Sequence, residues 1–116
     1  MTREEISTMI SGVDVPYAYY QFPDQTGQQP PFICFYFSES ADLYADDSNY
    51  QKIDRLIVEL YTSNKDFDLE TAVETALTSS GLTWTRVEQY LDDERLWMEV
   101  YETNVIITEG EINARE

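Results

Sequence analysis

Apolar and polar positions alternate most regularly between Tyr50 and Ser63, YQKIDRLIVELYTS, a stretch without Gly or Pro. Successive side chains of a strand point to opposite faces, so Leu56, Val58 and Leu60 share one face. Ile53, Arg55, Ile57, Glu59 and Tyr61 share the other, which mixes apolar bodies with charges. The pattern predicts a long central strand with one face on a core and the other half wet. A helical period follows it. Leu69, Ala72, Val73, Ala76 and Leu77 fall at i, i+3, i+4, i+7 and i+8. Asp68 is the expected N-cap, with Phe67 as a hydrophobic staple, and Gly81 the expected left-handed stop. Glu70, Thr71, Glu74 and Thr75 are expected to face away from the core.

The remaining elements are read in the same way. Thr2 and Glu5 have capping-box spacing for a helix over Thr2–Ser11, with Ile6, Met9 and Ile10 on one face and Gly12 as its end. Val13–Phe22 predicts a strand rich in Tyr, whose aromatic cluster suits ordinary sheet packing. Pro23–Pro31 is a polar loop with breakers, and Phe32–Ser38, FICFYFS, is an apolar run suited to a buried strand. Two strands about a polar loop suggest a hairpin. Glu39–Asn49 reads as an acidic loop or arm. Leu82–Leu91 and Arg95–Thr108 predict two strands joined by a short charged turn, hence an antiparallel hairpin. The order α-β-β-β-α-β-β describes an α+β fold with a mainly antiparallel sheet of about five strands and two helices. Residues 1–108 are expected to form a single domain, and 109–116 a flexible tail.

Composition narrows the function. The 116 residues carry 23 acidic against 7 basic side chains, a formal net charge of -16. Nucleic-acid affinity comes largely from Lys and Arg neutralising phosphates, so direct binding to a polyanion is disfavoured, as is an anionic membrane surface. The charge suits a soluble acidic surface, one that meets a basic partner, or one that keeps DNA from sticking. Cys34, the sole cysteine, lies in an apolar run and reads as a buried structural thiol. Neither a signal peptide nor a spanning segment is predicted, which points to folding in a reducing cytosol.

Candidate chemistry is sparse. There is no His, P-loop, dinucleotide fingerprint or nucleophile elbow. Asp42, Asp46 and Asp47 carry the carboxylates a hard cation takes, but the Gly and closing Glu of an EF-hand loop are absent, so neither a metal nor a cofactor is expected. The pairs Asp46/Asp47 and Asp92/Asp93 sit on polar turns with no apolar wall to raise a pKa. No catalytic residue is expected.

Taken together, Ala45-Asp46, Tyr50, Val58-Glu59-Leu60-Tyr61-Thr62, Lys65-Asp66 and Leu69-Glu70, followed by Thr83–Tyr90 and the Glu94–Tyr101 strand, resemble the small tail-completion proteins of long-tailed bacteriophages and prophages. These are also called tail terminators or head–tail joining proteins. The likeness spans about residues 5–108 and lies in element order and a loose string rather than a catalytic signature. It implies a structural virion protein, made in a bacterial host cytoplasm, that forms a homohexameric ring capping the tail tube. Its implied partners are itself, the tail tube protein and the head-completion or connector protein. DNA would pass through an acidic lumen without binding. The implied projecting loop is Glu39–Asn49. Leu43, Tyr44, Asp46, Asp47, Trp97 and Tyr101 are the candidate interface residues, because interface cores favour large aromatic side chains. Two other roles fit the composition: another connector or minor capsid protein, and a monomeric acidic inhibitor of a basic protein that mimics DNA.

Overall fold

A computed structural model describes residues 1–22, 28–40, 43–46 and 49–108, with the backbone pairing alone described over 43–46 and 49–51. The elements are α1 (Arg3–Ser11), β1 (Tyr17–Tyr19), β2 (Phe32–Ser40), β3 (Leu43–Asp46), β4 (Asn49–Gln51), β5 (Ile53–Thr62), α2 (Phe67–Ser79), β6 (Thr85–Leu91) and β7 (Leu96–Ile106). Five strands form one sheet in the order β1-β2-β5-β7-β6, and β3 and β4 form a separate two-stranded ladder. The long alternating stretch is therefore the middle strand, paired antiparallel with β2 on one side and β7 on the other. β6 and β7 pair antiparallel across the charged turn.

Both helices lie on the same side of the sheet. Register places Ile33 opposite Leu60, Phe35 opposite Val58, and Val58 opposite Tyr101. These side chains are buried with Ile6 and Ile10 of α1 and Val73 and Leu77 of α2 in one core. The capping box starts α1 as expected: the Glu5 N–H donates to Thr2 Oγ1 at 3.0 Å and the Thr2 N–H to Glu5 Oε1 at 2.8 Å. Gly81, at φ +83°, takes the left-handed conformation just beyond α2.

Several expectations are corrected. The first strand is only Tyr17–Tyr19 and runs parallel to β2, so these two strands are not a hairpin. Positive φ values at Asp14 and Tyr20 break the extended backbone at both ends. The connection over residues 20–31 has the length of about a dozen residues that a parallel return requires. The sheet is thus mixed, with its single parallel pair at one edge. Val13 and Val15 still pack against the core from outside a strand, as do Leu82 and Trp84 before β6. The expected acidic loop begins as strand, since β2 runs on through a bulge to Ser40, and then contributes β3 and the first residue of β4. Helix α2 is capped by Asp66, not Asp68: Asp66 Oδ1 accepts from the Leu69 N–H at 3.0 Å. Phe67 is then the first helical residue and is 68% exposed, so it is not a staple. The expected tail, 109–116, lies outside the described residues.

Candidate assembly surface

The helix-covered side holds a charge cluster that helical periodicity alone conceals. Glu70 falls on the polar side of the helical period, yet it is 3% exposed and its carboxylate meets Lys65 and Arg86 of β6. Register puts Glu88 opposite Glu99 and Arg86 opposite Tyr101 on that same side. Lys65, just before α2, gives its ammonium to Glu70, Glu88 and Glu99. The Arg86 guanidinium reaches Glu70 at 2.9 Å and Glu99 at 3.6 Å. Glu74 accepts from the Tyr101 hydroxyl at 2.9 Å. Burial raises the Tyr101 hydroxyl, and its bond to Glu74 raises it further, so it stays protonated. Burial alone would lower Lys65, but its three carboxylate partners outweigh that and raise it.

Chemically this is an internal ion cluster. The carboxylate oxygens of Glu70, Glu88 and Glu99 lie close enough together to hold a cation. The Lys65 ammonium bonds to all three and supplies that cation from the chain itself. Among the described residues Glu99 Oε1 has no hydrogen-bond partner and relies on the neighbouring guanidinium.

The opposite side of the sheet is built differently. Its rows run Phe32–Tyr61–Met98–Gln89, Cys34–Glu59–Val100–Val87 and Tyr36–Ile57–Glu102–Thr85. Neither helix contributes to this face, because the buried residues of both pack on the other side. It carries a run of aromatic rings at one end. Phe32 stacks on Tyr61 with centroids 4.8 Å apart, and Tyr20 and Phe22 meet Tyr36 and Phe32 edge-on at 5.4 and 5.5 Å. Glu59 sits among these rings, accepting from the Tyr61 hydroxyl at 2.8 Å and the Tyr36 hydroxyl at 3.1 Å. Burial raises both phenols, and Glu59 adds to the shift, so both remain donors. Cys34 lies beside them, its thiol pushed up to about 11 by burial and then by Glu59. Two sheet edges flank this face. β6 is exposed along nearly its whole length, and Tyr17, Tyr19, Tyr20, Val87 and Tyr90 are exposed at the two edges.

Of the predicted interface residues, only the side chains of Trp97 and Tyr101 are described, and these two form no exposed patch. Leu43 and Tyr44 of β3 pair with Gln51 and Tyr50 of β4, and Asp46 with Asn49. Asp47 and Asp42 lie outside the described residues. Trp97 is half-buried on the helix side, its ring 4.9 Å from Tyr90 and 5.7 Å from the Lys65 ammonium. Tyr101 is fully buried in the core and packs on Trp84, so it has no surface to offer a partner. The reason is register: an odd-numbered residue in the middle of β7 lies directly under α2. The residues missed by the sequence reading are Phe32, Tyr36, Glu59, Tyr61 and Val87. Their signal was present in the mixed face of β5, but which face the helices cover is a tertiary choice.

No family model matches the chain, and neither does any curated protein at a significant level. A solved structure does match. It is a chain of the virion of a native gene transfer agent particle. The two share a fold at TM-score 0.57 and 12% identity, over 86% of this chain and 85% of that one. That likeness is one of fold.

Proposed function

We propose that the chain is a structural component of a phage-type virion, and specifically a tail-completion protein. In this reading it assembles as a ring on the end of the tail tube and presents a surface to the head connector. The observation that carries it is the helix-free sheet face, with aromatic rings at one end and exposed strands at both edges. A monomer gains nothing from leaving such a face uncovered, whereas an assembly subunit buries it. The shared fold with a chain of a gene transfer agent virion supports the same reading, as does the order of elements in the sequence. A ring needs a head-to-tail contact whose rotation closes, and two different exposed edges meet that requirement better than a single self-complementary patch. No step of this role needs a catalytic group, and the ion cluster under α2 serves to hold the β6–β7 hairpin against the helix.

Electron microscopy of particles assembled without the chain tests the proposal. Overlong tails separate from filled heads are expected. Tails of normal length that fail to join heads would transfer the role to a connector, and intact particles would refute a virion role altogether.

A further inference from the structure

The aromatic end of the open face is a groove of about 690 Å³ whose floor holds Glu59. Tyr20, Phe22, Phe32, Tyr36 and Tyr61 line it with Glu94, and no Lys or Arg does so among the described residues. Several other carboxylates on the sheet and α2 have a cation of their own. Asp54 pairs with Arg3 and Lys52, Glu39 and Glu102 with Arg55, and Glu70, Glu88 and Glu99 with Lys65. Glu59 has none among the described residues. Its charge is met by two phenol hydroxyls, one on each oxygen.

We propose that this groove binds the guanidinium of an arginine presented by a partner protein. Three observations fit that ligand. Each oxygen of Glu59 accepts a single hydrogen bond from a tyrosine, which leaves a lone pair on each for the paired N–H groups of a guanidinium. The surrounding rings present π faces on which a flat cation stacks. The net charge of -16 draws a basic partner toward the whole surface, so the groove only has to fix the register of one side chain. An ammonium fits less well, because it is a compact, strongly hydrated charge without a plane to stack. The inference rests on the groove itself and holds whether or not the chain caps a tail.

The test uses N-acetyl-arginine amide as probe, followed by amide chemical shifts of the isotope-labelled protein. Saturable shifts centred on Phe32, Cys34, Glu59 and Tyr61 are expected, with a dissociation constant on the order of a millimolar. N-acetyl-citrulline amide, which keeps the shape and loses the charge, and the Glu59→Gln variant should each weaken binding about tenfold or more. Glu102→Gln makes the same charge change on the same face outside the groove and should leave binding unaltered. Shifts scattered over the acidic surface, equal binding of N-acetyl-lysine amide, or full binding by folded Glu59→Gln protein would each overturn the assignment.

Discussion

Replacing Lys65 with Met removes the ammonium that three carboxylates share and keeps a side chain of similar reach. Glu99 and Glu70 would stay where they are, with side chains only 1% and 4% exposed. Removing one partner of a buried ion pair costs about 3–5 kcal/mol, chiefly because the remaining charge is left uncompensated. Two features reduce that here. Arg86 still reaches both carboxylates, and the Lys65 side chain is 23% exposed, so water already screens part of the interaction. A loss of about 2–4 kcal/mol at neutral pH is expected for the pairing with Glu70 and Glu99. With a urea slope of about 1.5 kcal/mol/M, the unfolding midpoint falls by about 1–3 M. The loss must also depend on pH in a fixed direction. Burial raises the Glu99 carboxyl, Glu88 and Glu70 push the same way, and Lys65 opposes them. Without Lys65 the folded-state value rises further above that of the unfolded chain. The folded protein then keeps a proton that the unfolded chain has released, so stability increases as pH falls through the folded value toward the unfolded one. The penalty should therefore shrink between about pH 7 and about pH 5. Urea titrations of both proteins at the two pH values measure it. A variant within about 0.5 kcal/mol of the parent at neutral pH, or an equal loss at both, refutes a buried, coupled cluster. Combining Lys65→Met with Glu99→Gln should recover part of the loss, whereas simple additivity would show the two groups to be independent.

Two further outcomes follow from single groups. The Cys34 thiol, at about 11, should react with iodoacetamide near pH 8 at least about a hundredfold more slowly in the folded protein than in urea, and equal rates would show the site to be open. Asp66→Ala should cost about 1 kcal/mol in urea titration while Asp68→Ala stays within about 0.5 kcal/mol, and the reverse order would return the cap to Asp68.

The strongest local patterns are legible in the sequence alone. The alternation of β5 identified the central strand, the i, i+3, i+4 stripe identified α2, and Thr2 with Glu5 marked the start of α1. What escaped was decided by pairing at a distance. Nothing local distinguishes a parallel from an antiparallel partner for β1, and its outcome rests on how the chain returns over residues 20–31. The hairpin of β3 and β4 is acidic and short, so its composition reads as loop although its backbone pairs. Glu70 lies beside the apolar stripe of α2, and the stripe alone does not reveal that Lys65 and Arg86 wait on the neighbouring elements to bury it. Tyr101 reads as a surface aromatic for the same reason, since a strand pattern gives two faces without saying which one the helix covers. For the candidate site, the sequence supplied Glu59 and Tyr61 on one mixed face, and register across three strands assembled the groove around them.

The position of β5 between β2 and β7 also sets a timetable for synthesis. Its partner β2 leaves the ribosome before it, but β7 follows only after α2 and β6 have been made. At elongation speeds of about 5–20 residues per second that interval is on the order of seconds, during which one side of the central strand has bare backbone groups and an aggregation hazard. Helix α2 is the next segment to emerge and needs only local contacts, so it is placed to shelter the growing chain until the last strand arrives.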